Sequence, residues 1–73
     1  MNPRYHVIFR PEPEGGFTVI VPSLPGCISY GKDLEEAQRM ITEAIELYIE
    51  DLKADNEEVP SDESVFATEI QLQ

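Results

Sequence analysis

Residues 17–37 read "FTVIVPSLPGCISYGKDLEEA", and within them the hydrophobic period changes from two to 3.6. Phe17, Val19 and Val21 alternate with Thr18 and Ile20, the pattern of a strand with one buried face. From Asp33 to about Ala54 the apolar stripe instead runs Leu34, Ala37, Ile41, Ala44, Ile45, Tyr48 and Leu52, one face of a helix. Between the two lies "PSLPGC". Pro22 and Pro25 fix φ near −65° on both sides of Ser23-Leu24, and Gly26 can take a positive φ. The segment reads as a rigid turn from the second strand into a short third one, about Cys27 to Tyr30, ended by Gly31. Leu24 is expected to plug the core.

Working outward, "RYHVIFR" (4–10) alternates Tyr5, Val7 and Phe9 with His6, Ile8 and Arg10, a first strand. "PEPEGG" (11–16) joins it to the second strand as a hairpin turn. At the helix start Asp33 suits the N-cap, with Glu36 placed to return the bond to the cap's own N–H. Glu35 and Arg39 are spaced for an i,i+4 pair. Asn56 is a plausible helix stop and Pro60 a barrier to resuming. "VFATEIQLQ" (65–73) alternates again and reads as a fourth strand. The order β-β-β-α-β predicts an α+β fold in one domain, 1–73: a mixed four-stranded sheet, order 3-2-1-4, with the last strand parallel to the first and one helix on one face. The other face, carrying Ile8 and Ile20, is left bare and suits association.

Composition bounds the function. Seventy-three residues build one small core, which alone rarely yields more than about 3–5 kcal/mol. One cysteine makes no internal disulfide, and no Cys/His cluster offers a metal site. A homo-oligomer, dimer or tetramer, or a partner is therefore expected to supply the rest. No leader or bilayer-length apolar run is read, and a lone thiol suits a reducing cytoplasm. Fifteen acids against five Lys+Arg give a net charge of −10, which disfavours nucleic acid and favours basic surfaces.

Catalytic constellations are weak. A nucleophilic Cys27 needs a basic neighbour or a helix N-terminus to lower its pKa. The nearest cation in sequence is Lys32, and the one histidine, His6, is on another strand, so Cys27 reads as a small buried thiol. Glu43, Glu46 and Glu50 run along the solvent face of the helix, either a solvated ridge or a docking surface for a basic partner. Met40 and Leu47, at i,i+7, flank the core stripe and either extend the core or line a contact.

These residues resemble the HicB family of antitoxins. The carrying motif is P-x-L-P-G-C (Pro22, Leu24, Pro25, Gly26, Cys27), then Gly31, Glu35, Glu36 and Ala37, then "EAIELY" from Glu43 to Tyr48. The Tyr5–Phe9 strand and the Gly15–Phe17 turn also match, so the resemblance covers nearly the whole chain. It implies a partial ribonuclease-H-like fold and a partner, the HicA-type toxin, a small basic ribonuclease that cleaves mRNA. It also implies a short form without the C-terminal DNA-binding domain of longer relatives. Ribonuclease-H chemistry needs a first-strand carboxylate to hold two divalent metals, and "RYHVIFR" has none. The expectation is a non-catalytic, cofactor-free antitoxin that occludes its toxin. The alternative is a stand-alone oligomeric scaffold or small-ligand sensor of the same fold.

Overall fold

The computed structural model describes residues 3–73. It is an α+β arrangement of three strands and one helix: β1 (Ile8–Pro11), β2 (Phe17–Ile20), β3 (Ile28–Gly31) and α1 (Leu34–Ala54). The sheet is antiparallel with order β1-β2-β3. The helix lies over β2 and β3 rather than centrally. Between helix and sheet sit Val19, Val21, Leu24, Cys27, Ala37 and Ile41, all buried, with Tyr5, Val7, Phe9, Phe17, Ala44, Ile45 and Tyr48 partly buried around them.

Each element follows from its local chemistry. The β1–β2 turn closes through Gly15 N–H to Glu12 O (2.9 Å) and Glu12 N–H to Gly16 O (3.0 Å). The β2–β3 connection is held by Leu24 N–H to Val21 O, Cys27 N–H to Leu24 O and Val21 N–H to Cys27 O, at 2.9–3.1 Å. Gly26 takes φ +83° there, in a left-handed region that L side chains resist. These bonds fold the loop inward, and Leu24 ends fully buried. At the end of β3, Gly31 brings the sheet so close to the helix that a Cβ on it would lie 2.2 Å from the backbone nitrogen of Ala37. Both helix ends are closed. Asp33 accepts from Glu36 N–H (2.8 Å). At the other end Asn56 adopts φ +56°, Glu57 N–H reaches Leu52 O (2.8 Å) and Asn56 N–H reaches Lys53 O (3.1 Å), a Schellman motif with asparagine in the left-handed position.

Four expectations are corrected. Residues 65–73 form no strand, so the sheet has order 3-2-1 and not 3-2-1-4, and the parallel crossover is absent among the described residues. The connection does return beside the first segment, with Asp62 N–H on Arg4 O (2.8 Å). A ladder does not grow from there, because Pro60 has no N–H and the Asp62 side chain, in place of a backbone carbonyl, takes the His6 N–H (2.8 Å). Val65 N–H then bonds to Asp62 O (3.0 Å) and turns the chain. Second, β1 begins at Ile8, since Arg4 and His6 spend their backbone groups on Ser61 and Asp62. Third, the Glu36 carboxylate reaches Lys32 N–H (2.8 Å), one residue before the cap. Fourth, Arg39 pairs with Glu36 at 3.6 Å, one turn back, and not with Glu35.

The two glycines make a quantitative test. Gly31→Ala presses a methyl into helix backbone and should cost about 1–3 kcal/mol. Gly26→Ala meets open space and should cost only the left-handed backbone penalty, about 1–2 kcal/mol. Urea unfolding of both should rank Gly31→Ala as the more damaging; the reverse order would contradict the close seat of α1 on β3.

Candidate functional site

Two surfaces and one internal cluster hold the residues with chemical potential. The internal cluster lies where the connection after α1 meets the N-terminal segment. Asp62 is buried, and its carboxylate accepts from the Ser23 hydroxyl and from His6 N–H. The Tyr5 hydroxyl donates to Pro60 O, and the His6 ring Nε2 lies 2.8 Å from Val65 O. The Ser23 hydroxyl bond and the His6 N–H hold Asp62 below the usual carboxylate range, against the effect of its burial. Burial, and then the Asp62 charge, raise the Tyr5 hydroxyl.

Serine, histidine and aspartate thus meet, but not as a nucleophile, base and orienter. In such a triad the imidazole faces the hydroxyl and the carboxylate faces the imidazole. Here the hydroxyl sits on the carboxylate and the ring sits on a carbonyl, so the cluster is a clasp that fastens the connection to the sheet. Sequence reasoning missed it, because Asp62 lies in a polar run with no periodicity to mark one acid as buried. Among the described residues, no group of three or more His, Cys, Asp or Glu is placed to hold a metal ion. Cys27 is buried, and desolvation raises its thiol pKa, the opposite of what a nucleophile needs.

The first surface is the outer side of α1. Glu43, Glu46 and Glu50 are exposed, and so are Met40 and Leu47. Met40, Glu43, Leu47 and Glu50 follow at i, i+3, i+7 and i+10 and form one mixed acidic and apolar stripe. Met40 and Leu47 therefore do not extend the core. The second surface is the sheet face away from the helix. Ile8 pairs with Ile20 and Ile20 with Ile28, so three isoleucines stand in one row across all three strands. Ile8 is 50% exposed and Ile28 58%. Beside them runs the row Arg10, Thr18, Tyr30. Ile28 was missed from the face, although its position one residue before the inward Ser29 gives it away.

Charge separates these surfaces. Residues 33–64 hold twelve of the fifteen acids and two of the five Lys+Arg, a net −10. Residues 1–32 hold two acids and three of the cations, a net +1. The helix and its connection carry the field of the chain, and the sheet is nearly neutral.

Two measurements check the cluster. Asp62 has a folded pKa below its unfolded value, so its contribution is present above about pH 4 and is lost as the pH falls through the folded value. Unfolding midpoints should therefore fall in acid for the native chain, and Asp62→Asn should lower the neutral midpoint and flatten the acid limb. An unchanged neutral midpoint would remove the clasp. Native Cys27 should resist a thiol reagent at neutral pH and react in denaturant; fast native labelling would contradict its burial.

A family model described as "HicB_like antitoxin of bacterial toxin-antitoxin system" matches residues 5–72. A UPF0150 protein of Thermoplasma acidophilum is 48% identical over 59 residues, 81% of this chain and 86% of that protein. A UPF0150 protein of Synechocystis is 46% identical over 61 residues, 84% of this chain and 77% of that one. Antitoxin HicB 1 of Photorhabdus laumondii is 37% identical over 59 residues, 81% of this chain but 38% of that antitoxin. With a family match spanning the hairpin, the turn loop, the helix and the C-terminal segment, the chain belongs to the HicB-like antitoxins.

Proposed function

We propose that the chain neutralises a HicA-type mRNA-cleaving toxin, a small basic ribonuclease, by docking on it and covering it in the cytoplasm, with no chemistry of its own. The observation that carries this reading is the concentration of all the net negative charge on α1 and its connection, in a chain of an antitoxin family. A basic partner is steered toward that side, and opposite fields accelerate encounter more than they tighten the final complex. Met40 and Leu47, exposed amid Glu43, Glu46 and Glu50, give the encounter apolar contact once it is made. The clasp and the buried thiol supply no nucleophile, general base or metal site to argue for turnover. No helix among the described residues is long and apolar enough to cross a membrane.

Where a HicA-type toxin is encoded beside this chain, its RNA cleavage is the direct assay. Equimolar chain should suppress it. Glu43→Lys, Glu46→Lys and Glu50→Lys together should slow association by about tenfold or more at low salt, and the difference should fade as the Debye length shrinks below about 10 Å above 0.1 M. Ile8→Asp and Ile20→Asp should leave the association rate near that of the native chain. Unchanged cleavage, with no complex by titration calorimetry at low salt, would leave the stand-alone scaffold or sensor as the better account. A larger effect from the isoleucine variants would move the docking site to the sheet.

A further inference from the structure

Between the last turns of α1 and the connection that follows it lies a cavity of about 290 Å³, lined by Pro3, Ile49, Lys53, Val59, Ser61 and Glu63. Small-molecule sites begin at about 300 Å³, so the space suits a ligand of few heavy atoms. Ile49 follows Met40 by nine residues, about two and a half turns at 3.6 residues per turn, and Lys53 lies about one turn further on. The cavity therefore opens on the edge of α1 opposite to the stripe of Met40, Glu43, Leu47 and Glu50. Its wall is apolar at Pro3, Ile49 and Val59, the last two half-buried. Lys53, from the last turn of α1, and Glu63, from the connection, bring one charge of each sign. The two do not neutralise each other: among the described residues the ion pair is Arg39 with Glu36. The Ser61 hydroxyl is already committed to Arg4, whose N–H it accepts at 3.2 Å. Two unspent, opposite charges over an apolar wall are used by neither the clasp nor the docking stripe.

We propose that this cavity binds a free α-amino acid with an aliphatic side chain. Its carboxylate meets Lys53, its ammonium meets Glu63, and its side chain lies against Pro3, Ile49 and Val59. The wall selects this class over others. A lone anion, such as inorganic phosphate, meets one lysine within the field of a chain of charge −10. A metal ion or an organic cation finds a single carboxylate here, with an ammonium facing the same space. A neutral apolar molecule leaves both charges unused. A zwitterion is neutral overall, so the field of the chain does not repel it, and it offers each charge an opposite one. Hydrogen bonds between ionised groups are the strong ones. Bound in this way, the amino acid bridges α1 to the connection beside the Asp62 clasp, and it stabilises the fold because the unfolded chain has no such site. The inference goes beyond the antitoxin reading and does not rest on it.

The test adds L-leucine to the full-length chain and follows amide NMR spectra and the unfolding midpoint. Saturable shifts are expected at Ile49, Lys53, Val59 and Glu63, together with a higher midpoint. Lys53→Met and Glu63→Gln should each weaken binding at least tenfold with circular dichroism unchanged, because both side chains are exposed. Lys53→Arg, which keeps the charge, should retain it. Leucinamide lacks the carboxylate, N-acetyl-leucine the ammonium and glycine the aliphatic side chain, and each should bind at least tenfold more weakly than L-leucine. Absence of a saturable shift at about 10 mM L-leucine would overturn the proposal. So would shifts that persist unchanged in both charge variants, or any of the three analogues binding as tightly as L-leucine. Binding of a HicA-type toxin by Lys53→Met should match that of the native chain, so a failure here is distinguishable from a failure of the antitoxin reading.

Discussion

The seat of α1 on β3 is the constraint on which the rest of this small structure depends. Gly31 lets the helix start against the strand it has just left, with no side chain between them. The loop Val21–Cys27 then turns Leu24 into the space beneath the helix, beside Val19, Ala37 and Ile41. Fully burying a leucine is worth about 1.5–3 kcal/mol, a large share of what a domain this small nets in total. Pro22 and Pro25 restrict the loop before folding, so less chain entropy is lost in burying that leucine, and Gly26 lets the loop take the left-handed turn it needs. Loop rigidity and helix position are thus one device: the loop supplies the plug, and the bare glycine brings the helix down onto it.

The position of the helix sets two sides of different chemistry. With α1 over β2 and β3, its outer face projects Met40, Glu43, Leu47 and Glu50 away from the body. The opposite side of the sheet keeps its isoleucine row in view. Segregation of charge makes the sides chemically distinct, because the acids lie on the helix and connection while the sheet is close to neutral. On the proposed reading a basic ribonuclease is steered to the acidic side and not to the sheet. The Asp62 clasp fastens the connection after α1 to the N-terminal segment and to the loop that holds Ser23.

Most of the fold was legible because it is local. The switch of period between Val21 and Leu34, the glycines of the turns, the Asp33 cap and the Asn56 stop act over a few residues, and each stands where the sequence puts it. The burial of Leu24 and Cys27 follows from the same local geometry. The fourth strand failed for a nonlocal reason. Alternation in residues 65–72 shows that the segment can be a strand, but pairing needs a free edge. The edge beside Arg4 and His6 is occupied by Ser61 and Asp62. The buried Asp62 was invisible for the same reason, since its partners lie 39 and 56 residues away in sequence. Of the surface, the acidic ridge and the exposure of Ile8 could be read from periodicity. Alignment of Ile28 with them required the strand register.

The central claim is the proposal that a basic toxin docks on the acidic side of the chain, α1 and its connection. Native mass spectrometry of the complex with the HicA-type toxin, taken through a salt series, tests it most directly. The account predicts a complex at low salt that loses its toxin as the salt rises. A complex whose population stays unchanged across the series, or no complex at low salt, would contradict it.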